Sequence, residues 1–130
     1  MTKILVIEDE KALLDNIVEL LELEDFEATG VENGLVGVQL ALQIAPDLII
    51  CDILMPELDG YGVLTSLRTD PITANIPFIF MTAQTDRVDV PQGMDLRVDN
   101  YVTKPFTATQ LLRAIATQLE KQADHKRKQG

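Results

Sequence analysis

Pro46-Asp47-Leu48-Ile49-Ile50-Cys51-Asp52-Ile53-Leu54-Met55-Pro56-Glu57-Leu58-Asp59-Gly60 is the stretch that decides the fold. An aliphatic run ends in a single carboxylate, and a turn signal, Pro56 with Asp59-Gly60, follows it. A strand half exposed to water alternates apolar and polar residues, whereas one covered on both faces reads as a near-continuous apolar run. Asp47–Cys51 is therefore a strand from the middle of a sheet. Two further runs have the same character: Ile4-Leu5-Val6-Ile7 within Lys3–Ile7, and Phe78-Ile79-Phe80-Met81 within Pro77–Met81. Phe26–Val31 is more polar and suits a position nearer an edge, and Asn100–Val102 makes a fifth strand.

Helical spacing fills the intervals. Leu13, Ile17, Leu20 and Leu21 share one helical face, as do Leu111, Ile115 and Leu119. Strands that alternate with helices imply βαβ units and a parallel sheet. The expected fold is α/β, a doubly wound five-stranded parallel sheet with five flanking helices. Residues 1–120 form this single domain, and 121–130 form a basic helical extension or linker. Thr107 is the expected N-cap of the last helix. That helix should run past the body to at least Lys121, because no proline or glycine intervenes before Gly130.

Composition limits the function classes. The 130 residues suffice for one core, and 25% are charged. No apolar run approaches the roughly 18 residues of a membrane span, and the N-terminus lacks the pattern of a secretory signal. The single Cys51 excludes an internal disulfide framework and points to a reducing, cytoplasmic setting. Residues 1–118 carry 7 basic and 19 acidic groups, −12, while 119–130 carry 4 and 2, +2. A body this acidic repels nucleic-acid phosphate.

In doubly wound sheets ligands bind beyond the carboxyl ends of the strands. Glu8, Asp9 and Glu10 follow the first strand, Asp52 the third, Thr82-Ala83 the fourth and Thr103-Lys104-Pro105 the fifth. Glu10 alone suits the start of a helix near Lys11. The others place carboxylates, a hydroxyl and an ammonium at one rim. Like charges that close need a cation between them, and Mg²⁺ takes an oxygen shell of carboxylates, waters and phosphate oxygens. Lys104 suits one phosphoryl oxygen and Thr82 another. The set is that of phosphoryl transfer to a carboxylate, in which the protein supplies positioning and charge neutralisation.

With these residues in this order, the chain resembles the receiver domain of two-component response regulators over residues 2–120. The resemblance rests on Ile4–Glu10, Pro46–Gly60, Pro77–Ala83 and Tyr101–Phe106. It implies a flavodoxin-like fold. It implies that Asp52 accepts a phosphoryl group from a histidine kinase or histidine phosphotransfer protein. Mg²⁺ would sit on Glu8, Asp9, Asp52 and the Leu54 backbone carbonyl. Thr82 and Lys104 would contact the phosphoryl group, and Tyr101 would be the aromatic switch on a face formed by the fourth helix, fifth strand and fifth helix. Pro56 and Gly60, with Met55, would shape the loop after the third strand, Asp59 would cap the next helix, and Lys104-Pro105 would be cis. Such a module is a phospho-acceptor rather than an enzyme. It implies no membrane and no direct nucleic-acid contact by this domain, and it leaves the output partner and a phosphorylation-dependent homodimer open.

Two departures fall together. Arg97-Val98 stands where the family often has Gly-Ala, and Pro91 with Gly93 interrupts the expected fourth helix, which starts at Pro91 or is distorted. That segment, 85–98, is expected to be the most mobile of the domain. Other readings compete with this one. A flavin mononucleotide binder needs a hydroxyl- and glycine-rich loop where Glu8-Asp9-Glu10 stands. A haloacid-dehalogenase-like phosphatase needs an Asp-x-Asp pattern there. A degenerate receiver acting only as an interaction module, or a receiver excised from a larger hybrid kinase or multidomain regulator, shares the fold. Cys51, Met81 and Met94 are expected in the core, and His125 lies in the charged tail without a phosphodonor motif. Gly37 and Gly62 carry no assignable chemistry.

Overall fold

A computed structural model describes residues 1–83 and 100–129 of the chain. The order is β1 (Lys3–Ile7), α1 (Lys11–Leu23), β2 (Glu27–Val31), α2 (Gly34–Ile44), β3 (Leu48–Asp52), α3 (Gly60–Arg68), β4 (Phe78–Ala83), β5 (Asn100–Lys104) and α4 (Ala108–Gln129). The five strands form one parallel sheet in the order β2-β1-β3-β4-β5. Four of the five expected helices lie among the described residues. The expectations placed on Pro91, Gly93, Met94 and Arg97-Val98 lie outside them.

Side chains alternate across each strand, so the sheet divides its apolar residues between two cores. Ile4, Val6, Leu48, Ile50, Ile79, Met81 and Val102 meet Leu14, Ile17 and Leu21 of α1 and Leu111 and Ile115 of α4. Leu5, Ile7, Ile49, Cys51, Phe78 and Phe80 meet Ala41 of α2 and Val63, Leu64 and Leu67 of α3. This two-sided burial explains the unbroken apolar runs: β3 is buried at every position. β2 lies at the sheet edge, where its polar residues predict it. On α1 the buried residues are Leu14, Ile17 and Leu21, while Leu13 and Leu20 are only partly buried. Gly37 has a packing role, since a Cβ there would lie 2.5 Å from Ile7 Cδ1.

Strand boundaries correct the sequence reading in one respect that matters. The ladders pair Asp52 with Met81, Thr82 with Thr103 and Ala83 with Lys104. Asp52, Thr82 and Lys104 therefore stand on the strands themselves, held by sheet hydrogen bonds, and not in the loops after them. Local chemistry starts the helices. The Asp59 carboxylate accepts from Gly62 N at 2.9 Å and Asn33 accepts from Val36 N at 2.8 Å. Thr107 and Gln110 form a reciprocal pair: Gln110 N donates to Thr107 Oγ1 at 3.1 Å, and Thr107 N donates to Gln110 Oε1 at 2.8 Å. The last helix has 22 residues, about 33 Å of length.

Candidate functional site

The strand order reverses direction between β1 and β3, and the crevice this opens at the carboxyl ends is where a doubly wound sheet binds. Glu8 and Asp9 leave β1 there, and Asp52 ends β3 beside them. One carboxylate oxygen from each of the three lies within 4.8 Å of the others. Glu8 is fully buried, Asp52 is 7% exposed and Asp9 faces solvent.

Lys104 reaches this cluster from the end of β5, two strands from Asp52. Its ammonium lies 2.8 Å from Glu8 Oε1 and 3.3 Å from Asp52 Oδ1. Glu8 Oε2 accepts from Glu10 N at 3.0 Å, which anchors the loop into α1. Glu10 itself is the N-cap residue of α1 and makes no side-chain cap bond.

One ammonium thus serves two buried carboxylates. Burial pushes the Glu8 carboxyl above its ordinary value, with the Asp52 charge adding to it, against the pull of Lys104 and Glu10 N. Burial likewise raises Asp52, and the Asp9 charge adds, against Lys104. Burial alone would lower Lys104, but the Glu8 hydrogen bond and the Asp52 charge more than offset it, so Lys104 holds its proton more firmly than usual. The pocket carries excess negative charge that Lys104 does not neutralise. Hard oxygen donors with uncompensated charge suit a divalent cation such as Mg²⁺. The two hydrogen bonds to Glu8 do not exhaust it, because each carboxylate oxygen has two lone pairs.

The remaining predicted residues surround this cluster. Thr82 is fully buried and donates from Oγ1 to its neighbour's carbonyl, Ala83 O, at 2.9 Å. Leu54 lies two residues past Asp52, with its side chain 61% exposed. Pro56 lies in the same loop, and the next residue, Glu57, has φ 67°. Gly60 is required by close approach: a Cβ there would lie 2.6 Å from Asp52 O and 2.8 Å from Ile53 Cα. Its amide donates to Ile53 O at 2.7 Å, which folds the loop back beside Asp52. The Lys104–Pro105 peptide is cis. Tyr101 is half-buried on β5, its ring 5.8 Å from that of Phe80. Cys51 is buried, and burial with the Asp52 and Glu8 charges pushes its thiol well up, so it stays a neutral core residue.

Sequence reasoning missed two features. Lys104 lies nearer Glu8 than Asp52, a contact that the longer reach of glutamate over aspartate favours. Phe80 is the meeting point of three rings, with Phe78 at 5.0 Å and Tyr61 at 5.3 Å besides Tyr101. The two phenylalanines at alternate positions of one strand, Phe78 and Phe80, were the available signal.

Comparison with known proteins gives a consistent answer. The family model for the response regulator receiver domain matches residues 4–116. The DNA-binding dual master transcriptional regulator RpaA of Synechocystis sp. is 36% identical over 121 residues, 93% of this chain and 50% of that protein. The sensory transduction protein RegX3 of Mycolicibacterium smegmatis is 34% identical over 125 residues, 96% of this chain and 54% of that one. The chain spans about half the length of these curated relatives. A response regulator receiver domain protein from Clostridium thermocellum superposes with a TM-score of 0.85 at 30% identity, covering 95% of this chain and 98% of that one. The receiver domain of a Pseudomonas aeruginosa sensor histidine kinase, solved with a magnesium ion coordinated in the active site cleft, gives 0.83 at 26% identity, with 92% and 98% covered.

Proposed function

The chain belongs to the receiver domains of two-component response regulators, and on that premise we propose that Asp52 is the residue that takes the phosphoryl group, from a phosphohistidine on a histidine kinase or histidine phosphotransfer protein. The observation that carries this is the place of Asp52: a carboxylate at the end of a fully buried strand, within an acidic cluster and 3.3 Å from an ammonium. An Asp52 oxygen attacks phosphorus, the P–N bond of the donor breaks, and its electron pair returns to the imidazole. The product is an acyl phosphate on Asp52.

Asp9, Asp52, Glu8 and the Leu54 carbonyl would hold Mg²⁺. When bound, the ion supplies neutralisation of charge on the carboxylates and on the phosphoryl oxygens. The chain's own residues do the rest. Phosphorylation adds roughly −1.5 to −2 of charge by analogy with other phosphorylated side chains. Lys104, already beside Asp52, pairs with a phosphoryl oxygen. The Thr82 hydroxyl exchanges Ala83 O for another. That movement frees space into which Tyr101 turns, the local charge and packing change that a two-state switch requires.

Several further roles go with this reading. The domain works in the cytoplasm as a switch and not as an enzyme. Pro56, Gly60 and Pro105 shape the loops around the acceptor. Residues 121–130 serve as a basic linker toward an output module. A relative described as DNA-binding suggests one kind of output, which lies outside this acidic domain.

The test is direct. Incubation with Mg²⁺ and acetyl phosphate adds one phosphoryl mass to the intact protein, and Asp52→Asn abolishes the addition. A folded Asp52→Asn variant that still gains the mass would refute the assignment.

A further inference from the structure

We propose that Tyr61, in the first turn of α3, sets the position of Tyr101 through the ring of Phe80, so that phosphorylation is conveyed to α3 as well as to β5. This rests on the reading of Asp52 as acceptor and Tyr101 as switch.

Two routes from the acceptor converge on Phe80. Along β4, Phe80 precedes Thr82 by two residues and shares its face of the sheet. The ladder sets Phe80 opposite Tyr101 and Thr82 opposite Thr103. Along the loop after β3, Gly60 folds back so that its missing Cβ would lie 2.6 Å from Asp52 O and 2.9 Å from Phe80 Cε1. The next residue is Tyr61. Its ring meets Phe80 edge to face, at 5.3 Å and 73°. Tyr101 meets Phe80 at 5.8 Å and 41°. Phe78 closes a third side at 5.0 Å and 80°.

Phe80 is fully buried and touches three rings, so it cannot reorient for one of them alone. Close-packed interiors transmit such displacements instead of absorbing them. Tyr61 and Tyr101 are both half-buried, so neither is sealed within the core as Phe80 is. An aromatic contact of this geometry shifts a two-state equilibrium by roughly two- to tenfold. Tyr61 is therefore a positioning residue of the switch, and the start of α3 belongs to its output.

The composition makes the test clean. The chain has no tryptophan and two tyrosines, Tyr61 and Tyr101. In Tyr61→Phe and in Tyr61→Leu, all tyrosine emission comes from Tyr101. Acrylamide quenching of that emission is measured with Mg²⁺, with and without acetyl phosphate, while intact mass reports phosphorylation. Tyr61→Phe keeps the ring and should keep the phosphorylation-dependent change. Tyr61→Leu should lose at least half of it at equal labelling. An equal change in both variants overturns the coupling. Should Tyr61→Leu fail to fold, 3-fluorotyrosine labelling of the wild-type chain decides by ¹⁹F NMR: both resonances should shift on phosphorylation, and a Tyr61 resonance that stays fixed while Tyr101 moves overturns it. Absence of phosphoryl mass in the wild type overturns the acceptor reading and the coupling with it. Normal labelling with an uncoupled Tyr61 removes only the coupling.

Discussion

The two ends of the sheet are built from similar materials and behave differently. At the carboxyl end, Glu8 and Asp52 are buried and share one ammonium. At the amino end lies an open groove of about 740 Å³, walled by residues such as Pro46, Pro71, Ile72, Asn75, Pro77 and Leu119. The groove is the roomier feature, but several polar groups in and around it are bonded within the chain. The Asp47 carboxylate accepts from Lys3 N at 2.7 Å, and Asp47 N donates to Lys3 O at 2.8 Å. Nearby, Arg68 Nη1 donates to Ala74 O at 3.1 Å and to Ile76 O at 2.8 Å, and Thr73 Oγ1 donates to Leu67 O at 2.7 Å. Volume therefore does not locate the chemistry. Buried charge without full compensation does, because a site that is to receive a cation and a phosphoryl group cannot be neutral beforehand.

Four outcomes would sharpen or break this contrast. The largest effect is expected at Lys104. Lys104→Met leaves two buried carboxylates without their cation, which should cost about 2–3 kcal/mol at neutral pH. Breaking a fully buried pair costs more, but the Lys104 side chain is a quarter exposed. Urea denaturation measures the loss, and unchanged stability would show that solvent screens the cluster.

Mg²⁺ should act at the same end. An ion that binds only the native state stabilises it by about 2.7 kcal/mol at one hundred times its dissociation constant. The melting temperature should rise with Mg²⁺ in the wild-type protein and much less in Asp52→Asn. A wild-type curve indifferent to Mg²⁺ counts against the metal site.

Arg68→Ala tests the opposite end. Losing the guanidinium from two carbonyls should cost about 2 kcal/mol, while acetyl phosphate labelling and the Mg²⁺ response stay as in wild type. A fall in labelling at equal folded fraction would show that the two ends are coupled.

The smallest effect is one of sign. Glu8 and Asp52 hold protons to higher pH in the folded chain than in the unfolded one. Below the ordinary carboxylate range both states are protonated and this contribution to stability is fully present. As pH rises through the raised native values the folded state binds more protons than the unfolded one, so the contribution is lost. Without Mg²⁺, stability attributable to these groups should fall with rising pH across that window. Asp52→Asn should flatten the slope. A wild-type slope of opposite sign, after subtraction of the Asp52→Asn curve, would contradict the raised values.

Much of the fold was legible because burial writes itself into the residue pattern. Strands covered on both faces must be apolar throughout, which made β1, β3 and β4 readable, and β2 stood apart because it is an edge. Thr107 and Asp59 were recognisable as caps since their side chains bond to amides within three residues. The clustering of Glu8, Asp9 and Asp52 was also legible, and the flavin-binding and dehalogenase-like alternatives fall with the family assignment. Less visible were the strand ends. Ladder pairing by a neighbour, and not intrinsic preference, carries β4 to Ala83 and β5 to Lys104. Choosing Leu14 over Leu13 to join Ile17 and Leu21 on the buried face of α1 was equally out of reach, because the rotation of a helix about its axis is set by what it packs against.

The sequence by itself determined the chemical inventory of this protein: carboxylates at 8, 9 and 52, a hydroxyl at 82, an ammonium at 104, and the apolar runs that place each at a strand end. These follow from residue identity and short-range periodicity, which need no partner. Only the tertiary structure decided who meets whom. Lys104 and Glu8 are 96 residues apart, and their 2.8 Å contact exists because the strand order reverses between β1 and β3 and the two side chains meet across the ends of β3 and β4. The convergence of Tyr61, Phe78 and Tyr101 on Phe80 is of the same kind. Contacts between distant segments depend on strand order, register and the close approach that Gly60 permits, and no local pattern encodes them.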